Sequence, residues 1–392
     1  MLEIDSINTA CPAPDSLPVY ELEMSPQDLA AMEANPSSNE THPAKFTANG
    51  VVHGNARVRF RGKFARTWPK KPLKILLDRD QPFEGQYKLN LNSAQLDPAF
   101  VREPFAYHFF SACGVPSPRS RMVLVRMNGD FHGLYVEVEQ PDEAFLKRVR
   151  LEGVSLFKAK STSAESDERD LGSESAFGRH YSRKTHKADG MRELQAFCHD
   201  LAQTTDAPGF FTRNVDLKKY IDYLAANALV QNWDCSAKNH YMAFDGGGSG
   251  KWFVIPWDLD RTCGDHWRGR FAYYEAPIRE GTQQLPGRDG WNRVTEVFFS
   301  EASLRERFAV RLGELLATEF TASKLFPMLD RLKSQAATGA ALDRELWPPP
   351  PPFRSPPPDI NIGIAEMKNY IELRRGFLLD VLRSVPDWTS QK

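Results

Sequence analysis

The stretch NWDCSAKNHYMAFDGGGSGKWFVIPWDLDRTCG, residues 232–264, places acidic and amide side chains at the outer ends of two apolar runs. Residues 239–244 and 251–256 are strand-like, and Gly246-Gly247-Gly248-Ser249-Gly250 between them is a turn sequence. If the runs pair across that turn, both free ends of the hairpin return to one edge. Asn239 and Asp258 then become neighbours, with Asp234 just before them and Asp260 two residues beyond. Two or three carboxylates and one amide carbonyl form a set of hard oxygen donors. Such a set suits Mg²⁺ or Mn²⁺ and is poor for zinc.

A divalent ion held by an Asn and a later Asp, with another Asp five residues before the Asn, is the arrangement protein kinases use for phosphoryl transfer. The HRD and DFG words of those enzymes are absent, so the signal is one of position. The competing reading makes Asp234 a turn cap and Asp258 and Asp260 an exposed loop. Trp233 and Trp257, each directly before one of these aspartates, weigh against it by limiting access of water.

Phosphoryl transfer needs cations against the phosphates. RGKFARTWPKKPLK, residues 61–74, holds six basic residues in fourteen and follows ARVRFRG, a strand in which Val58 and Phe60 alternate with Arg57, Arg59 and Arg61. KPLKILLD (71–78) reads as its antiparallel neighbour. Lys74 is central in that run, where the pattern alone allows either a solvent-facing edge position or a lysine that needs a partner or ligand. RMVLVRMNGDFHGLYVEVEQ (121–140) is a hairpin about Asn128-Gly129. Its second strand leads toward the helical part, where an adenine ring would read backbone groups near Glu139 and Pro141. The alternative has Glu137 facing solvent and Glu139 capping the next turn.

Around these motifs the chain reads as an α+β protein. Residues 1–50 form an extension with a short helix at Asp28–Asn35, and 51–145 a sheet region. Residues 146–392 form a helical region that carries the hairpin. Helices are expected over 101–112, 191–203, 217–230, 303–318, 322–337 and 364–385, with a strand in GVSLFKA (153–159). Residues 160–189 lack apolar periodicity and read as a mobile surface insertion. Eight prolines between 348 and 358 read as a stiff extended connector. There is no GxGxxG or GxxxxGK[ST] motif and no alternation of strands with long helices.

Net charge is -1, with 41% hydrophobic and 26% charged residues, so no global charge calls for nucleic acid or an anionic membrane. The five cysteines are widely spaced without a CxxC pair, which argues against a zinc knuckle or disulfide framework. With no basic, apolar leader and no run long enough for a membrane span, the sequence reads as soluble and cytoplasmic.

Six words in order, RFRG with PKKPLKI, DPAFVREPFAYHFFSACGVPSPRS, VLVRMNGDFHGLYVEVEQ, LFKA, NWDCSAKNHYMAF and FVIPWDLDRTCG, resemble the CotH kinase family of atypical protein kinases. The resemblance implies a highly diverged, two-lobed protein-kinase-like fold, with an antiparallel sheet lobe and a mostly helical lobe binding ATP between them. It implies transfer of the γ-phosphate to serine on a protein substrate with Mg²⁺ or Mn²⁺. Asp234 then looks like the catalytic aspartate, and Asn239 and Asp258 like the metal pair, with Asp260 a third ligand or support. Lys74 looks like the phosphate-contacting lysine and Glu139 marks the hinge. Arg61, Lys71, Arg102 and Lys158 stand near the nucleotide or in structural ion pairs. Lys63-Phe64-Ala65 after the RG pair and Cys235 after Asp234 depart from the family's usual residues. A kinase-like scaffold without catalysis and a metal-dependent nucleotidyltransferase remain the alternatives.

Overall fold

Alternation builds the first sheet as the sequence predicts. The computed structural model describes residues 16–160, 166–232, 234–235, 237–266, 269–270, 274–275, 292–349 and 359–384. In chain order the elements begin with β1 (Val19–Glu23), α1 (Pro26–Ala34), β2 (His42–Ala48), β3 (Val51–Phe60), β4 (Leu73–Leu77), β5 (Lys88–Asn92), α2 (Arg102–Ala112), β6 (Ser120–Met127) and β7 (Asp130–Glu139). Seven strands close into a barrel in the order β1-β2-β3-β4-β5-β7-β6. All pairs are antiparallel except β1 with β6, where Tyr20 lies beside Val125. Closure removes the unpaired edges an open sheet would present.

Tyr20, Leu22, Phe46, Val58, Phe60, Leu73, Ile75, Leu89, Leu91, Val123, Val125 and Tyr135 are buried together in its core. Period-two alternation puts their strand neighbours on the other face. Arg59, Lys74, Asn90 and Val138 therefore form a row of cross-strand neighbours there. The Asn128-Gly129 turn has positive φ at both residues, 52° and 90°, as a two-residue hairpin of this hand requires.

Two expectations are corrected here. The sheet region is a closed barrel with one parallel pair, and residues 16–50, read as an extension, supply β1, α1 and β2 to it. Polar and proline-rich flanks hide VYELE as a strand, because a five-residue run has little periodicity of its own. Glu137 does not face solvent. It accepts from Tyr20 Oη (2.7 Å) and Arg121 Nε (2.7 Å) inside the barrel.

The second part continues with α3 (Glu143–Arg148), β8 (Ser155–Ala159), α4 (Glu174–His180), β9 (Tyr181–Arg183), α5 (Arg192–Gln203), α6 (Ala207–Asn214) and α7 (Leu217–Val230). The hairpin β10 (His240–Phe244) and β11 (Trp252–Pro256) follows, then the short strands β12 (Asp265–His266) and β13 (Gly269–Arg270). Helices α8 (Arg293–Ser300), α9 (Ala302–Thr318), α10 (Ala322–Leu346) and α11 (Ile360–Ser384) complete the chain. The fold is mixed α+β. The chain divides into two compact units. One takes in the described residues of Met1–Pro104, Arg119–Gln140 and Leu329–Ile364. The other takes in Phe105–Pro118 and the described residues of Pro141–Met328 and Ala365–Lys392.

In the first unit, Lys70 and Asp343 form an ion pair with both side chains fully buried. Lys70 also donates to the carbonyls of Ser93 and Leu134, and Asp343 accepts from Leu134 N (2.8 Å). Burial pulls the Lys70 ammonium down to about 8 against the opposing pull of Asp343.

The second unit contains a four-stranded sheet, β11-β10-β8-β9. Its last strand comes from the stretch read as a mobile insertion, and that reading is overturned. Of that stretch, 161–165 lie outside the described residues, but Ser166, Asp167, Glu168, Tyr181, Arg183 and Thr185 are buried. The Arg183 guanidinium is held by Glu193, by Ser155 Oγ (2.9 Å) and by the carbonyls of Thr185 (3.1 Å) and Gly190 (2.9 Å). Ordering here comes from paired polar groups, which leave no hydrophobic period to read. The long helices run further than expected, α10 to Leu346 and α11 from Ile360. Most of the proline run, from 350 on, lies outside the described residues.

Candidate active site

Helix α7 aims the site. Asp216 caps its start, accepting from Lys219 N (3.2 Å), and Gln231 ends it in the left-handed region at φ 48°. Its last three carbonyls are engaged. Arg374 Nη2 donates to Ala228 O (2.8 Å), Tyr370 Oη to Leu229 O (2.9 Å) and Cys263 N to Val230 O (2.7 Å). A buried guanidinium at the negative end of a helix is electrostatically well placed. The chain leaves this fixed point and reaches Asp234 within four residues of Val230.

Asp234 is buried, and its Oδ2 accepts from Asn239 Nδ2 at 2.8 Å. Lys238 Nζ lies 2.7 Å from Oδ1. Burial pushes the carboxyl up to about 6, Lys238 opposes this, and Asp258 adds to it. The hairpin register sets His240 opposite Pro256, and Trp257 N donates to Asn239 O (3.1 Å). Asn239 and Asp258 consequently flank the open end of this ladder, away from its turn, as the spacing implied. Both adopt positive φ, 58° and 61°. Such backbone is costly for residues other than glycine and persists only where the surroundings hold it, as at functional sites. Tyr107 Oη accepts the Asp258 amide N–H at 3.0 Å.

Asp260 keeps 48% of its side-chain surface. Its pKa is raised by its dense surround and by Asp258, Asp234 and Asp265, with Arg261 pulling the other way. Arg261 itself is 2.6 Å from Asp265 and 3.7 Å from Asp260. Lys158, on β8 beside Tyr241, sets its ammonium 4.7 Å from the Trp257 ring centroid and 5.7 Å from that of Tyr241. The second unit thus gathers Asp234, Lys238, Asn239, Asp258 and Asp260 at one hairpin end, with Lys158 against the tryptophan that precedes Asp258.

Among the described residues, no three His, Cys, Asp or Glu side chains stand together as a ready-made metal centre. The donor set here includes an amide instead. With Nδ2 of Asn239 spent on Asp234, its Oδ1 is the side-chain atom suited to a cation, and Asp258 and Asp260 bring carboxylates to the same hairpin end. These mutually repelling oxygens have the hard chemistry that Mg²⁺ and Mn²⁺ take.

In the first unit, Lys74 is half-buried in the outward row and donates to Gln140 Oε1 at 3.1 Å, which is the partnered reading of that lysine. Lys71 lies over the Phe60 ring at 5.5 Å. Arg61 donates to Asn92, which in turn binds Glu103 (2.8 and 2.9 Å). Arg102 is buried against Asp97, whose carboxylate also accepts the amides of Ala99 and Arg102. That is the structural ion pair among the readings the motif left open. Glu139 donates its N–H to Arg119 O and accepts Arg119 N–H on Oε2, both at 2.9 Å. Its amide N–H is therefore committed to Arg119.

The signals missed in sequence are Lys238, four residues after Asp234, and the pair Glu168–His240. So is Arg374, one of three arginines in its helix and the one turned inward. Only Lys238 had a legible spacing.

A family model described as CotH kinase protein matches residues 58–378. The chain belongs to that family. Among curated proteins it is similar to inner spore coat protein H of Bacillus subtilis (strain 168), 27% identical over 328 residues, 81% of this chain and 87% of that protein. It is also similar to the inner spore coat protein H-like protein of the same organism, 21% identical over 294 residues, 75% and 80% of the two chains. The CotH match takes in every candidate residue named above, from Arg61 to Asp260 and on to Arg374. No helix among the described residues is long and apolar enough to cross a membrane.

Proposed function

We propose that this chain is an ATP-dependent protein kinase that transfers the γ-phosphate to a protein hydroxyl, serine by family likeness. The observation that carries the reading is the Asp234–Asn239 hydrogen bond at the open end of the hairpin, where Asn239 and Asp258 are both held left-handed. Asn239 and Asp258 would hold Mg²⁺ or Mn²⁺, with Asp260 as third ligand or support. When bound, the ion neutralises charge on the phosphoryl oxygens. Asp234 orients the acceptor hydroxyl and takes its proton as the new O–P bond forms. The bond to the β-phosphate oxygen breaks, and its electron pair leaves with ADP. A carboxyl raised to about 6 is ionised at neutral pH yet more basic than an ordinary aspartate, which suits that task. Lys158 supplies positive charge beside this cluster, and family likeness gives Lys74 the phosphate-contacting role, with Lys71 and Arg61 on the same basic segment as Lys74.

A second reading, an assembly protein without catalysis, is favoured by the names of the two relatives and by the Lys238–Asp234 ion pair, which already neutralises the acid. Incubation with γ-labelled ATP and Mg²⁺ or Mn²⁺ separates the two. Labelled protein in the wild type and none in Asp234→Ala supports the kinase. No label in either supports the assembly reading, and label appearing only from α-labelled ATP would instead make the chain a nucleotidyltransferase.

A further inference from the structure

Glu168 and His240 form a buried pair that no step above uses. His240 Nε2 lies 2.7 Å from Glu168 Oε1, with 1% and 0% of their side chains exposed. The other ring nitrogen, Nδ1, lies 2.9 Å from the carbonyl of Lys238. A carbonyl only accepts, so Nδ1 carries a proton and Nε2 shares one with Glu168. Tyr181 completes the arrangement. Its hydroxyl accepts Glu168 N–H (2.9 Å) and donates to Oε1 (3.1 Å).

The consequence lies in what these contacts enclose. The His240 ring reaches back over Asn239 to the carbonyl of Lys238, bracketing the one residue of the three with positive φ. An imidazole held at one nitrogen only is free to turn about its own bonds. Glu168 fixes the second nitrogen and with it the orientation of the ring. Glu168 is in turn fixed by its neighbours, since Asp167 O accepts from Arg293 N (2.7 Å) and Ser166 Oγ donates to His180 O (2.7 Å). Its own backbone is left-handed, φ 58°.

We infer that Glu168 and His240 are positioning residues for Asn239, holding its backbone in the conformation that presents the amide oxygen to a divalent cation. The inference rests on the proposed phosphotransfer site and assigns to the 166–183 segment the task of keeping that site in shape. A side chain that orients a metal ligand from behind typically changes metal affinity by about 10–100-fold when removed.

The test is Mn²⁺ binding to the full chain with ADP present, read by electron paramagnetic resonance, alongside amide hydrogen exchange over residues 238–244. Glu168→Ala should weaken Mn²⁺ by about tenfold or more and speed exchange at Asn239 and His240. Glu168→Gln, whose amide can still hydrogen-bond Nε2 of the imidazole, should restore affinity to near that of wild type. Should Glu168→Ala fail to fold, Tyr181→Phe carries the test, with an expected weakening of about fivefold from the loss of both hydrogen bonds to Glu168. Folded variants that bind Mn²⁺ as the wild type does would overturn the positioning role and leave the phosphotransfer reading intact. Wild-type protein that binds no Mn²⁺ with nucleotide would overturn both.

Discussion

Replacing Asp234 with Asn should stabilise the protein at neutral pH while abolishing transfer. The buried carboxyl is raised from 3.8 to about 6. At about 1.4 kcal/mol for each pH unit, holding it ionised in the folded state costs roughly 3 kcal/mol at neutral pH. The sign follows from which state releases its proton first. Below pH 4 folded and unfolded chains are both protonated at this site, and it contributes nothing. Between about 4 and 6 the unfolded chain ionises and the folded one does not, so stability falls through that window and stays low above it. An asparagine does not titrate. The advantage of Asp234→Asn over wild type should therefore grow by about 2 kcal/mol between pH 4.5 and pH 8. The Lys238 ion pair forms only as Asp234 ionises, so its contribution is already contained in that raised value. Urea denaturation of both proteins across that range reads the difference, because titrating groups away from this aspartate cluster cancel. Phosphotransfer by the variant should fall by about 10²–10⁴-fold. A stability difference that does not change from pH 4.5 to pH 8 would refute the assignment of a strained, ionised Asp234.

Other perturbations test separate parts of the account. Asp258→Ala should weaken Mg²⁺-dependent nucleotide binding by about tenfold or more, ~1.4 kcal/mol, in calorimetric titration, whereas Asp234→Ala should leave it near wild type. Arg374→Met strips a buried donor from the end of α7 and should cost about 3 kcal/mol in chemical denaturation, with little recovery in Arg374→Lys, which lacks the planar fork. Lys70→Met alone should cost about 3–5 kcal/mol by leaving Asp343 buried and unpaired. The double variant Lys70→Met with Asp343→Asn should recover most of that loss, since the amide still accepts from Leu134 N.

Elements with a strong period were legible in the sequence. Val58 and Phe60, the Asn128-Gly129 turn and the paired runs at 240–244 and 252–256 each carry a local signal that tertiary structure only confirms. The meeting of Asp234, Asn239 and Asp258 was legible for the same reason, because a hairpin fixes which residues share an end. What the sequence concealed is held by partners distant along the chain. β1 is a strand because β2 and β6 flank it. The 166–189 segment is ordered because Arg183, Glu168 and Ser166 find polar partners. Arg102 and Glu139 look available in a one-dimensional reading and prove committed, the first to Asp97 and the second to Arg119. Polar pairing has no period, so pattern reading misses it in both directions.

The buried pair of Lys70 and Asp343 constrains the order in which the protein can be completed. The two residues are 273 positions apart, and Asp343 lies in the last fifth of the chain. As the polypeptide leaves the ribosome, all seven barrel strands emerge long before the counter-charge that one of their connecting segments requires. Until Asp343 arrives, Lys70 must stay hydrated or shed its proton, and the barrel around it stays unsettled. Finishing the first unit thus waits for a residue made well after the barrel strands. A fragment ending after the last barrel strand, at Gln140, should behave as a loosened sheet that Asp343 alone, supplied on a separate segment spanning 329–349, can tighten.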